Sequence, residues 1–174
     1  MADVIETGRL LLRPFQPDDA VAAHRWFGDR LVMKYTPSGP DASVAKTRER
    51  LAAYETHQAQ HGFSKWIVIE RGSGQPIGDA GLLVLERAGW IDLGFRFEWR
   101  SWGKGYATEA GAAWVSVAFG ALGLDALGAF VHPENIPSMK VLERLGFRDD
   151  REATIQGMPA ILFTLQRLDR LKKL

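Results

Sequence analysis

Arg100-Ser101-Trp102-Gly103-Lys104-Gly105-Tyr106-Ala107-Thr108-Glu109 is the stretch on which the reading of the fold turns. Upstream, Trp90 to Glu98 is apolar and aromatic enough for a strand. Downstream, Ala107, Ala110, Gly111, Trp114, Val117, Ala118 and Ala121 recur at helical spacing. The stretch therefore joins a strand to a helix through a loop with almost no side-chain bulk at positions 103 and 105. The backbone N–H groups of residues 103 to 108 would open the helix, where unpaired donors and the helix dipole favour an anion such as a phosphate.

Two phosphate loops fail against these residues. A P-loop needs Gly-x-x-x-x-Gly-Lys-Ser/Thr, but Glu98 stands where its first glycine should be and Gly105 where its Ser/Thr should be. The dinucleotide fingerprint Gly-x-Gly-x-x-Gly fails at Thr108, and no parallel crossover surrounds it. Arg-x-x-Gly-x-Gly-x-Ala does fit, as Arg100, Gly103, Gly105 and Ala107. This resembles the pyrophosphate loop of the GNAT acyltransferases, which bind acetyl-coenzyme A.

A second stretch resembles the same family. His132 to Phe147 contains Asn135-x-x-Ser138 followed by Leu145-Gly146-Phe147. Leu93-Gly94-Phe95, Trp102 to Glu109, Phe119, Leu122-Gly123-Leu124, the Asn135 segment and the opening Arg9-Leu10-Leu11-Leu12-Arg13-Pro14-Phe15 are similar to the RimJ/RimL-like branch. The resemblance covers nearly the whole chain. It implies an α/β (α+β) fold with one GNAT domain over residues 1–174. Its mixed, mostly antiparallel sheet would have about seven strands, helices on both faces and one splayed strand pair.

Composition fits this. The chain has 174 residues, 46% hydrophobic and 25% charged, enough for one core and without an apolar run as long as a membrane span. Met1 to Gly8 carries Asp3 and Glu6 and has no apolar run of a signal peptide, so a cytoplasmic setting is the simplest reading. No cysteine is present, which excludes disulfides, thiolate metal sites and a cysteine nucleophile. With 22 Lys+Arg against 21 Asp+Glu there is no global field for nucleic acid, and Arg167, Arg170, Lys172 and Lys173 read as a solvated basic end. His57 and His61 share a helical face without the glutamate of a zincin, and read as a solvated helix end. No metal site is expected.

The elements follow from patterning. Leu10, Leu12 and Phe15 begin a strand, Pro17-Asp18-Asp19 starts a helix ending near Gly28, and Asp41 or Ser43 caps a second helix ending at Gly62. Phe63 to Glu70, Gln75 to Glu86 and Trp90 to Glu98 are three meander strands, turned at Arg71-Gly72-Ser73-Gly74 and Arg87-Ala88-Gly89. The helix from about 106 takes Gly123 as a left-handed cap. A strand from Ala126 to His132, a helix closed by Gly146, and strands Arg148 to Thr154 and Pro159 to Arg167 complete the chain.

The chemistry is assigned through the resemblance. It implies that the backbones of Phe95, Arg96 and Phe97 hold the pantetheine arm, with the Phe95 N–H toward the thioester oxygen. Arg100, Gly103, Lys104, Gly105, Tyr106, Ala107 and Thr108 bind the pyrophosphate. Asn135 bonds the pantetheine amide, and also suits an N-cap. Ser138, one helical turn on, protonates the leaving sulfur. Asp92 is the first candidate for the base, with His132 and Glu98 behind it. Trp26, Phe27, Tyr35 and Trp90 are candidate acceptor-pocket aromatics, and the loop Tyr35 to Pro40, the second helix and the turn Gln156-Gly157-Met158-Pro159 would set the acceptor.

The implied function is acetyl-CoA-dependent N-acetylation of a primary amine, on a small molecule or a protein N-terminus, by direct attack in a ternary complex. The alternative is a catalytically inactive acyl-CoA sensor or scaffold; Asn135 and Ser138 favour the enzyme. No nucleic-acid or membrane partner is expected, and the protein is a monomer or homodimer.

Overall fold

A computed structural model describes residues 4–85 and 89–168. The strands are β1 (Ile5–Glu6), β2 (Leu10–Pro14), β3 (Lys65–Glu70), β4 (Gln75–Leu85), β5 (Trp90–Phe97), β6 (Ala126–Val131), β7 (Arg148–Ile155) and β8 (Met158–Gln166). The helices are α1 (Ala20–Phe27), α2 (Val44–His61), α3 (Tyr106–Phe119) and α4 (Ile136–Leu145). One eight-stranded sheet runs in the order β1-β2-β3-β4-β5-β6-β8-β7. Every neighbouring pair is antiparallel except β5 and β6. The expected seven strands become eight because the two-residue β1, too short to show a period, pairs with β2.

Side-chain alternation divides the interior in two. From β3, Trp66 and Val68 enter the core under α3 and α4, with Leu10, Leu12, Leu82, Leu93, Trp114 and Leu142. Ile67 points the other way, into the core under α1 and α2 with Phe15, Trp26, Phe27, Leu51 and Tyr54. Trp66 meets Trp114 of α3 edge-on at 5.0 Å, which fixes the helix across the sheet.

Helix ends follow local chemistry. Ser43, not Asp41, caps α2 by accepting the Lys46 N–H at 3.2 Å. Asp41 turns inward to Thr47 and Arg50. Gly62 and Gly146 end α2 and α4 with φ of 77° and 95°. At Gly146 the Phe147 N–H bonds back to Leu142 O, and both side chains lie in the first core. The expected cap at Gly123 is corrected: α3 ends at Phe119 with Gly120 as C-cap, and a Cβ at 120 would lie 2.8 Å from Ser116 O. Gly123 is left-handed, φ 63°, but within the turn that follows.

Other expectations also shift. The β3 strand begins at Lys65 rather than Phe63, and β6 ends at Val131 rather than His132. His57 is no solvated helix end: its Nδ1 lies 2.8 Å from Phe63 O while Nε2 accepts the Val84 N–H at 3.0 Å. Burial pushes its pKa down, which favours the neutral ring these two bonds require. Glu86, Arg87 and Ala88 of the expected β4 end and hairpin turn, and Arg170, Lys172 and Lys173 of the basic end, lie outside the described residues.

Candidate active site

The β5–β6 pair is the one parallel contact in the sheet, and its ladder holds only at Asp92 and Gly128. Beyond that point β5 continues along β4 to Phe97, and β6 continues along β8 to Val131. A V-shaped gap therefore opens between Gly94–Phe97 and Ala129–Val131, leaving an extended backbone edge that an amide-bearing chain can join as a strand would. Asp92 pins the apex, since its Oδ1 accepts the Phe130 N–H at 3.0 Å. Burial raises the Asp92 pKa, while Lys65 and the Phe130 N–H oppose that rise.

The loop after β5 is built around two left-handed glycines. Gly103 and Gly105 have φ of 73° and 81°, and a Cβ on Gly103 would meet nothing within 4 Å. Gly105 is the N-cap of α3, and no side chain caps that end. Glu109 N to Gly105 O, at 3.1 Å, begins the helical hydrogen bonds, so the N–H groups of Tyr106, Ala107 and Thr108 lie ahead of the ladder. Open space, bare donors and the positive end of a helix dipole suit a pyrophosphate. Lys104 and Arg100 are exposed, with the Arg100 guanidinium 5.3 Å over the Trp99 ring. The Trp102 indole donates to Phe97 O at 2.7 Å, so of Phe97's backbone the carbonyl is already occupied.

Sequence reasoning missed the brace behind this loop. Arg9, read only as part of the opening strand, donates from Nη1 to Lys104 O at 2.8 Å and from Nε to Glu109 Oε2 at 2.7 Å. Its guanidinium also lies 4.7 Å over the Tyr106 ring. Glu109 accepts from Thr7 Oγ1 and the Arg9 N–H as well. Burial raises its pKa, but these donors hold it below the usual range. Partners about 100 residues away in the chain leave no local signal.

Across the gap, Asn135 caps α4: its Oδ1 accepts the Ser138 N–H at 3.4 Å. Asn135 and Ser138 are both half-buried, and α4 packs against α3 where Gly111 leaves room for Leu145. The runners-up for the base lie apart. Glu98 is beyond the end of β5, so the strand alternation that put it with Asp92 does not reach it, and it pairs with Arg25 at 3.2 Å. His132 stacks on Tyr35 at 4.8 Å, and its Nδ1 accepts the Glu134 N–H. Tyr35 thereby bridges from the α1–α2 loop to the end of β6. Trp26 and Phe27 are fully buried, which removes them from the acceptor pocket; Trp26 Nε1 bonds Asp79 Oδ1 at 3.0 Å. A shallow groove lined by Pro133, Glu152, Ala153, Thr154, Pro159 and Ala160 adjoins the same end of the sheet.

Among the described residues no group of His, Cys, Asp and Glu could hold a metal ion, and no helix is long and apolar enough to cross a membrane.

Comparisons with known proteins agree with this geometry. The model of the acetyltransferase (GNAT) domain matches residues 9–148. An uncharacterized N-acetyltransferase of Bacillus subtilis, YnaD, is 32% identical over 144 residues, 83% of this chain and 82% of that protein. The crystal structure of a GNAT-family acetyltransferase from Bacillus anthracis superposes with a TM-score of 0.82 at 26% identity, over 94% of this chain and 98% of that one. An aminoglycoside acetyltransferase, AAC(6')-Ib, in complex with coenzyme A shares the fold with a TM-score of 0.78 at 19% identity, over 94% and 98%. A helix-capping glycine loop beside a splayed strand pair, matched in sequence over most of its length, places the chain in the GNAT family of acetyltransferases, and it is an enzyme of acyl transfer.

Proposed function

We propose that the protein transfers the acetyl group of acetyl-CoA to a primary amine by direct attack, and that it belongs to the RimJ/RimL-like branch. The observation that carries the reading is the uncapped start of α3 behind Gly103 and Gly105, set beside the gap whose apex Asp92 ties. The thioester supplies an acyl carbon activated toward nitrogen. The residues of the loop hold the pyrophosphate, with Arg100 and Lys104 adding charge and Arg9 keeping the loop in shape. The backbones of Phe95, Arg96 and the Phe97 N–H side of β5 hold the pantetheine arm, with Asn135 on the opposite wall.

Ser138 protonates the departing sulfur from the first turn of α4. Asp92 faces the amine: Oδ1 is fixed by Phe130, and Oδ2, 3.6 Å from where a Cβ of Gly94 would stand, draws the acceptor ammonium in. The acceptor enters past Tyr35, His132 and the groove at Pro133 and Glu152, whose carboxylate suits a cationic molecule. The whole chain acts as one domain, alone or as a homodimer, in the cytoplasm and without a metal. The inactive-sensor reading has no specific observation in its favour.

A thiol-release assay with acetyl-CoA across polyamines, peptides with free N-termini and aminoglycosides tests the reading. Turnover with at least one class is expected. Coenzyme A binding without thiol release on any amine would establish the sensor instead.

A further inference from the structure

The described lysine that is not solvated stands behind this site. Lys65, at the start of β3, is 3% exposed. It pairs with Gly81 of β4, and Gly81 pairs with Gly94 of β5, so the three stand in one row across the sheet. The side chain runs along that row across β4: a Cβ on Gly94 would fall 2.2 Å from Lys65 Nζ. A side chain at 94 would displace the ammonium from this position. It is thereby delivered onto β5 two residues from Asp92 and two from Arg96, on the face they share and at the mouth of the gap.

Asp79 and Arg96 already have other partners, whereas Asp92 feels the Lys65 charge from beyond ion-pair range. Asp79 of β4 takes Arg96 at 3.4 Å and the Trp26 indole, and Arg96 also reaches Thr36 Oγ1 at 3.5 Å. From α2, Tyr54 faces Arg96 and Arg50, and Arg50 pairs with Asp41 at 2.7 Å. Asp92 Oδ1 is taken by Phe130. Among the described residues the Lys65 ammonium forms no hydrogen bond and no ion pair within 4.0 Å. Burying an ammonium with no ion pair within 4.0 Å is costly even with Asp79 and Asp92 acting on it from farther off, and a methionine would fill the same track without charge.

We propose that Lys65 is the proton acceptor of the transfer step, set across the Gly81–Gly94 row to meet the acceptor nitrogen that Asp92 draws in. The inference rests on the acetyl-transfer reading above. The bound ammonium first yields one proton to solvent; the lone pair so freed forms the N–C bond to the acetyl carbon, and neutral Lys65 Nζ takes the second proton that the nitrogen sheds. The electron pair of the breaking C–S bond leaves with sulfur, which Ser138 protonates, and Lys65 and Ser138 then exchange protons with solvent. Burial, first, and the charge of Arg96 push the Lys65 pKa down to about 8, against the opposing pull of Asp79 and Asp92, so the neutral form is accessible under mild conditions.

The test combines titration and kinetics on the full chain. With lysine labelled at 13Cε, one resonance titrates near 8 and is lost in Lys65→Met. On whichever polyamine, peptide or aminoglycoside the wild type acetylates, kcat/KM rises with pH along that same ionisation. Both Lys65→Met and Lys65→Arg lower kcat/KM by about 10²-fold or more and lose that limb, with the Kd for coenzyme A unchanged. Arginine keeps the charge but cannot give up its proton, so an active Lys65→Arg enzyme would make Lys65 an electrostatic partner only and overturn the proposal. A Lys65 resonance that titrates near 10 also overturns it. A wild type without thiol release on any amine would instead overturn the acetyl-transfer reading, and this inference with it.

Discussion

Lys65 can be weighed by its cost as well as its position. Its ordinary pKa is 10.5 and its folded one about 8. The unfolded chain therefore binds more protons than the folded one between these values, and stability rises with pH across that window. Below pH 8 the folded protein carries the full penalty, roughly 3 kcal/mol as an upper figure. Lys65→Met is expected to raise stability at pH 7 by about 1–3 kcal/mol and to flatten the rise between pH 8 and 10.5, measured by urea unfolding. A destabilised variant would mean that the ammonium is a structural partner. Asp92 raises the Lys65 pKa, so Asp92→Asn should move the pH–rate limb to lower pH; at neutral pH the loss of the charge that draws the ammonium in outweighs the larger neutral fraction of Lys65 and depresses kcat/KM by about 10²-fold. The amide oxygen can still accept the Phe130 N–H, so the fold should survive. At α4, Ser138→Ala is expected to lower kcat with little change in Kd for coenzyme A, and Asn135→Ala to weaken that binding, which steady-state kinetics and calorimetry separate.

At the scale of elements, the pyrophosphate loop is held from behind by β2 rather than by its own residues. Arg9→Ala removes the bonds to Lys104 O and Glu109 and the contact over Tyr106, and should weaken coenzyme A binding about tenfold with the helix intact, as calorimetry and circular dichroism would report. The two walls of the gap share a second joint. A Cβ on Gly111 of α3 would lie 2.7 Å from Leu145 Cδ1 of α4, so Gly111→Val should push Asn135 and Ser138 away from the loop and lower both Tm and coenzyme A affinity. Elements with a local cause were legible in the sequence: Leu10 and Leu12 alternate inward, the cap of α2 narrows to Asp41 or Ser43, and Gly62 and Gly146 stop their helices. So was the turn at Gly103 and Gly105, because positive φ marks itself by residue type. Apart from the cap placed at Gly123 rather than Gly120, what escaped depends on distant pairing. The Lys65–Gly81–Gly94 row needs the register of three strands, Arg9 and Glu109 meet across about a hundred residues, and Trp26 and Phe27 are core because α1 lies flat on the sheet.

For the molecule as a whole, the arrangement follows from one interruption in an otherwise continuous sheet. The antiparallel strands β2 to β5 and the group β6, β8 and β7 meet at a single parallel contact, and each half carries one wall of the site. The α3 and α4 core locks the halves together beneath the gap, while α1, α2 and the loop with Tyr35 close over the other face. The central claim is that acetyl-CoA lies across this interruption with its pyrophosphate on the start of α3. Calorimetric titration of coenzyme A into the wild type and into the double variant Gly103→Val, Gly105→Val tests it most directly. Both glycines hold positive φ, which a β-branched residue resists by about 1–2 kcal/mol or more at each position, so the loop must move while the rest of the fold remains. The account predicts saturable binding by the wild type and affinity at least tenfold weaker in the double variant, with an unchanged circular dichroism spectrum. Equal affinity in the two proteins would contradict it.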